Sequence, residues 1–213
     1  VIPAVRDRHP NAWCLGEVIH GDHSRFVASS GVDATTQYEL WKAIWSSIKD
    51  RNFFELDWAL NRHNGFLAHF TPNTRIASVI GSDGAVMALA ILLTLGGIPS
   101  IYYGDEQGFT GIKEERAGGD DAIRPAFPDT PSELADWGQN VHRAHQDLIG
   151  LRRRNPWLVT AITTPLHLEN TRYTYRAAAR DGSNHLDVAI DIAGTPSLVI
   201  KNASGHVLWE WRH

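Results

Sequence analysis

Residues 85–106 read AVMALAILLTLGGIPSIYYGDE. From Ala85 to Leu95 the stretch is apolar at every position but Thr94. It is well short of the roughly 18–20 residues of a membrane span, so it reads as a buried helix. Ser82 or Asp83 can cap its start, and Gly96-Gly97 stops it. Ile98 to Tyr103 then reads as a strand, and Gly104-Asp105-Glu106-Gln107-Gly108 as the polar loop at its C-terminal end. Helix, strand, polar loop is one unit of an alternating α/β chain.

The same alternation extends towards the N-terminus. Val1 to Arg8 has the character of a helix tail, ended around His9-Pro10-Asn11. Trp13 to Ile19 is a short apolar run that predicts a buried strand, followed by the loop His20-Gly21-Asp22-His23. A second strand is expected near Val32 to Tyr38. Leu40, Ile44 and Ile48 recur every four residues and predict a helix over Glu39 to Lys49. Phe53, Leu56 and Leu60 predict another over Asn52 to Asn64. Gly111 to Pro131 is rich in Gly, Pro and charge and reads as a long loop. Leu134 to Arg154 is helical, with Val141, Ala144, Leu148 and Leu151 on one face.

After Pro156 the period changes to two. Leu186, Val188, Ile190 and Ile192 alternate with polar or small residues, as do Val207, Trp209 and Trp211 with Leu208 and Glu210. This predicts an antiparallel β module with one buried face. The expected domains are therefore 1–155, strand–helix repeats on a parallel sheet, and 156–213, antiparallel β. The first suits an open doubly wound sheet or part of a (β/α)8 barrel. Neither G-x-G-x-x-G nor G-x-x-x-x-G-K-[ST] occurs, so no motif supports a nucleotide fold.

Composition narrows the function. The apolar content of 43% and net charge of -4 exclude general disorder. That charge gives no field to gather nucleic acid or an acidic membrane, so neither is an expected partner. Cys14 is the single cysteine, which rules out an internal disulfide framework, and it reads as a buried, inert thiol. The chain begins with Val1, has Met87 as its only methionine, and opens with VIPAVRDRHP, which holds no secretory leader. A processed chain or a piece of a longer one is expected. Its location stays open, with the cytoplasm favoured. The 8 Trp suit sugar recognition, since a flat apolar ring matches the C–H face of a pyranose, although most should fill core gaps.

Two places could carry chemistry. Glu17 sits late in an apolar strand, just before a polar loop. An acid there is costly unless used or paired, and partial desolvation favours the protonated form a general acid needs. A salt-bridged structural carboxylate is the competing reading. Tyr102-Tyr103-Gly104-Asp105-Glu106 places two rings and two carboxylates at a strand end, a good edge for binding hydroxyls; a turn shaped by Gly104 is the alternative. His20, His23, His63, His142 and His145 make no metal-ligand set and read as surface or core histidines. No cofactor and no metal are expected.

These residues resemble the α-amylase family of retaining glycoside hydrolases, glycoside hydrolase family 13. The resemblance rests on Gly16-Glu17-Val18 after an apolar strand and on Gly97-Ile98-Pro99-Ser100-Ile101-Tyr102-Tyr103-Gly104-Asp105-Glu106. Gln37-Tyr38-Glu39-Leu40 and the helix ending LIGLRRRNP, Leu148 to Pro156, fit its order. It implies the C-terminal half of a family member: a partial (β/α)8 TIM barrel, about strands five to eight with strand seven lost, then a small all-β domain. Glu17 matches the general acid/base at the end of strand five. By the same resemblance His20, Arg75, Tyr103, Asp105 and Glu106 bind the substrate, an α-glucan or α-glucoside.

The departures are as informative. The family's nucleophile is an Asp in a Gly-x-Arg-x-Asp pattern, and none precedes Glu17. Its second Asp lies in an aromatic-x-x-Asn-His-Asp-x-x-Arg pattern after strand seven. Here residues 65–78 read GFLAHFTPNTRIAS: Arg75-Ile76-Ala77-Ser78 fits the end, but the Asn-His-Asp core is missing. Ungapped, Thr71 and Pro72 would stand where the His and Asp belong. His69 is not followed by an acid, and the chain contains no His-Asp dipeptide. A retaining mechanism needs two carboxyl groups about 5–5.5 Å apart. General acid–base catalysis alone gives roughly 10²–10⁴-fold, against the about 10⁶–10¹⁷-fold of enzymes. A chain with Glu17 and no nucleophile should be inactive alone. Three readings follow: a fragment of an α-glucan-acting hydrolase or transferase, one half of a split enzyme whose partner is the missing N-terminal half-barrel, or a carbohydrate-binding protein without chemistry.

Overall fold

The computed structural model describes residues 1–19, 21–63 and 75–213. Before Pro156 the elements run α1 (Ile2–Arg8), β1 (Leu15–Gly16), α2 (His23–Ser30), β2 (Ala34–Thr35), α3 (Tyr38–Lys49), α4 (Phe54–His63), α5 (Ile76–Thr94) and α6 (Gly138–Arg154). β1 and β2 pair in parallel, Leu15 opposite Ala34 and Gly16 opposite Thr35, with α2 as the crossover. After Pro156 come β3 (Ile162–Leu168), β4 (Arg172–Ala178), β5 (His185–Asp191), β6 (Ser197–Asn202) and β7 (Val207–Arg212). They form one antiparallel sheet in chain order.

The period-two segment folds as its pattern dictates. Tyr173, Tyr175 and Ala177 of β4, Leu186, Val188 and Ile190 of β5, and Leu198 and Ile200 of β6 are all buried. Alternate residues of a strand share a face, so these side chains make one continuous apolar layer. At the edge the pattern loosens: Val207 is exposed, while Trp209 and Trp211 are partly buried.

That layer packs on the helices. Phe53, just before α4, stacks on Tyr173 with ring centroids 6.0 Å apart. The Tyr173 hydroxyl donates to Asp57 of α4 at 2.9 Å, and Tyr175 shares a 2.6 Å hydrogen bond with Thr94 at the end of α5. One apolar cluster thus runs from Leu40 of α3 through α5 and α6 into β4, β5 and β6. Arg152 of α6 is buried within it. Its guanidinium donates to the carbonyls of Leu93 at 2.9 Å, Leu95 at 2.7 Å and Gly97, groups that the end of α5 leaves without helical partners. Burial draws its pKa down to about 10.

Several expectations need correction. The expected buried strand over Trp13–Ile19 contracts to two residues, with Trp13, Leu15 and Ile19 exposed. Among the described residues only β2 pairs with it, and the second strand likewise contracts to Ala34–Thr35 with β1 as its one described neighbour. Ile98 to Tyr103 forms no strand beyond a single bridge at Ile98; a ladder needs partners, and no described strand lies beside it. α5 runs from Ile76, earlier than expected, but breaks at Gly81, whose φ of 71° is outside helical space, so its second segment begins beside Ser82 and Asp83, where a helix start was expected. It is long and apolar enough to span a membrane, but 61% of that stretch is buried against the rest of the chain, as a core helix would be. α6 starts at Gly138, not Leu134, because Pro131–Glu133 forms a separate 3-10 turn. The place of strand seven, residues 64–74, lies outside the described residues.

Candidate functional site

Glu17 directly follows β1, and Thr36-Gln37-Tyr38 directly follow β2. Because the two strands are parallel, both segments emerge at the same C-terminal edge. Glu17 is exposed there rather than half-desolvated as expected. The hydroxyl of Tyr38 donates to Glu17 Oε1 at 2.7 Å. This bond ties the loop after one strand to the helix after the next. Behind it, Thr36 Oγ1 accepts from Val18 N–H at 2.9 Å, and buried His23 shares a 3.1 Å hydrogen bond with Thr35. Burial depresses the pKa of His23. His23 and His145 are core histidines, as expected; His145 bonds the Val141 carbonyl at 2.8 Å. Asp22 is occupied as the cap of α2, accepting from Arg25 N–H at 3.0 Å. His20 lies outside the described residues.

The second group is built around Arg75, which has no exposed surface. Its guanidinium donates to the Tyr103 carbonyl and to Asp105 Oδ1, the latter at 3.2 Å. The same cation sits 4.4 Å from the Tyr102 ring centroid, 4.8 Å from Tyr103 and 5.9 Å from Phe109. Aromatic faces stabilise a desolvated cation by their quadrupole. Gly104 makes the turn possible. Its φ is 84°, and a Cβ there would stand 2.3 Å from the Phe109 ring. The Glu106 carboxylate accepts from Gly104 N–H at 2.8 Å. Burial raises the pKa of Asp105 to about 6, against the opposing pull of Arg75.

Above this buried pair the surface is aromatic. Tyr103 and Phe127 are 41% and 43% exposed, with ring centroids 6.1 Å apart. The expected group therefore divides: Arg75 and Asp105 lie inside, Tyr103 outside, and Glu106 braces the turn. No hydrogen bond or ion pair among the described residues joins Glu17 to this group. Sequence reasoning gave Tyr38 no role beyond its place in the Gln37–Leu40 run, and did not single out Phe109 or Phe127. Tyr38 carried a usable signal, a hydroxylated ring opening a helix immediately after a strand. No metal-binding cluster of His, Cys, Asp or Glu occurs among the described residues.

Residues 3–161 match the α-amylase catalytic domain. The chain belongs to the α-amylase family. Its sequence is 29% identical to an α-amylase of Streptomyces lividans, over 86% of this chain and 22% of that protein. It is 32% identical to a cyclomaltodextrin glucanotransferase of Paenibacillus macerans, over 54% of this chain and 14% of that one. Among solved structures, the cyclic α-maltosyl-(1→6)-maltose hydrolase of Arthrobacter globiformis superposes with a TM-score of 0.76 at 18% identity, covering 99% of this chain and 51% of that one. The chain thus spans about half of that structure and a smaller part of the two sequence relatives. The fold is that of an α-amylase catalytic domain, a TIM-barrel family, followed by a five-stranded antiparallel sheet.

Proposed function

We propose that this α-amylase-family chain is the C-terminal half of a retaining glycosidase or transglycosidase acting on α-glucans. Residues 1–155 would be the second half of its barrel, about strands five to eight, and 156–213 its β domain. Glu17 is the general acid/base. The observation that carries the reading is its position: the first residue past a parallel strand, on the C-terminal edge where TIM-barrel active sites gather, with its carboxylate open to solvent and held by Tyr38. The relatives' names support the substrate class, since amylase, cyclomaltodextrin glucanotransferase and cyclic maltosyl-maltose hydrolase all denote action on α-linked glucose.

In this scheme Glu17 donates a proton to the leaving glycosidic oxygen and later takes one from the incoming hydroxyl. Tyr38 fixes the carboxylate's direction. Tyr103 offers a ring face to the sugar, while Arg75, Asp105 and Glu106 hold the loop that presents it. The sequence contains no Gly-x-Arg-x-Asp nucleophile and no Asn-His-Asp segment, so the partner carboxylate would come from a missing N-terminal half-barrel. The unmodified 213-residue chain and its Glu17→Gln variant should both release no nitrophenol from a nitrophenyl α-glucoside above background. Robust turnover by the unmodified chain would show that another carboxylate, such as Asp22, Asp105 or Glu106, serves as nucleophile.

A further inference from the structure

Phe127 stands beside Tyr103, and both rings keep exposed surface. Their centroids are 6.1 Å apart and their planes are tilted by 42°. Arg75 lies against Tyr103, its guanidinium 4.8 Å from the ring centroid, and is wholly buried. Tyr103 therefore shows solvent the side away from the cation. Asp105 is buried beside Arg75. The charges lie beneath the rings, and what these two residues turn outward is flat and aromatic. Such a surface suits a neutral ligand with apolar C–H faces.

The second ring is held as firmly as the first. Phe127 sits in Pro125-Ala126-Phe127-Pro128, late in the long loop. Each proline fixes its own φ, and Pro128 also keeps Phe127 out of helical space. Phe109 packs on Phe127 with centroids 5.0 Å apart and planes at 44°. Phe109 in turn lies 5.9 Å from the Arg75 guanidinium and against Gly104. The Phe127 ring is thus tied to the buried cage. A ligand that settles on it has little side-chain freedom to quench.

Rings this close leave no slot between them for a third ring. A ligand must lie across the pair, one flat unit on each ring, with the second unit turned relative to the first. A chain of α-1,4-linked glucose bends in one direction at every linkage. A β-1,4-linked chain runs extended and flat. We infer that Tyr103 and Phe127 form a bent platform for two successive glucose units, and that Phe127 selects the curved α-linked chain over the flat β-linked one. The choice of glucan rests on the function proposed above; the tilt and the rigidity belong to the rings themselves.

The test is an NMR titration of the full, isotopically labelled chain with maltohexaose and, separately, with cellohexaose. The unmodified chain should bind maltohexaose roughly tenfold more tightly. Phe127→Leu keeps an apolar contact for Phe109 but has no flat face. It should weaken maltohexaose binding by roughly tenfold, as loss of an aromatic anchor does, and narrow the gap between the two sugars. Phe127→Tyr restores a flat ring and should bind as the unmodified chain does.

Undiminished maltohexaose binding by Phe127→Leu would overturn the platform. So would equal affinity of the unmodified chain for the two sugars, or binding of neither. The role of Glu17 is read by turnover, not by binding, and would survive those results. Tighter binding of cellohexaose, lost in Phe127→Leu, would overturn the α-linked assignment and the proposed substrate class with it, while Phe127 remained a sugar contact.

Discussion

The chain holds two sheets that differ in completeness. β4, β5 and β6 each have a strand on both sides and helices behind them, and their alternate residues are almost wholly buried. β1 and β2 have only each other among the described residues, and Trp13, Leu15 and Ile19 remain exposed. The apolar content of the segments is similar. What differs is the number of neighbours, and burial follows neighbours rather than composition. A parallel strand of a barrel is normally covered on both faces and paired at both edges; among the described residues β1 is paired at one.

The largest expected effect lies in the complete sheet. Tyr175→Ala removes a fully buried ring and its hydrogen bond to Thr94, and should cost about 3–5 kcal/mol, read by chemical denaturation. Arg152→Met comes next. It keeps the apolar stem but leaves the carbonyls of Leu93, Leu95 and Gly97 unsatisfied, for a loss of about 3 kcal/mol.

The third prediction concerns pH. Below about 3.8 the Asp105 carboxyl is protonated in both the folded and the unfolded chain and has no effect. Between there and about 6 the unfolded chain gives up the proton while the folded chain retains it, so stability falls as pH rises. Above that window the penalty is complete. Asp105→Asn should flatten this fall, with a difference of about 1–3 kcal/mol between pH 4 and 7. A parallel pH profile for the two proteins would break the account of Asp105. Smallest is Leu15→Ala in β1, which should change stability by less than about 0.5 kcal/mol. A loss as large as that of Tyr175→Ala would show that β1 is as well supported as the antiparallel sheet, and the contrast would fail.

The same contrast explains what could be read in advance. The buried face of β5, from Leu186 to Ile192, followed from alternation because its partners lie close in sequence and the pattern is strict. α3 followed from Leu40, Ile44 and Ile48. Ile98–Tyr103 looked as strongly strand-like, yet strand formation there depends on distant neighbours that no local pattern reports. The break at Gly81 was marked by Ser82 and Asp83, read as a helix start, whereas the turns before it, Ile76 to Ile80, carried no helical signal of their own. In the candidate site, Glu17, Tyr103 and Asp105 were visible as acids and rings at the ends of apolar runs. The cage of Tyr102, Tyr103 and Phe109 around Arg75 was not, because it is assembled from residues up to 34 positions apart. Nor was the Tyr38–Glu17 bond, which depends on β1 and β2 lying in register.

The central claim is that Glu17 is the acid/base of an α-glucan-acting barrel that is incomplete in this chain. It is tested most directly by joining the chain to a family N-terminal half carrying the Gly-x-Arg-x-Asp nucleophile and restoring an Asn-His-Asp segment before Arg75. Release of reducing sugar from an α-glucan is then measured with Glu17 and with Glu17→Gln. The account predicts turnover from the completed protein and its loss, by a factor of roughly 10² or more, in Glu17→Gln. Equal turnover by the two completed proteins would contradict it.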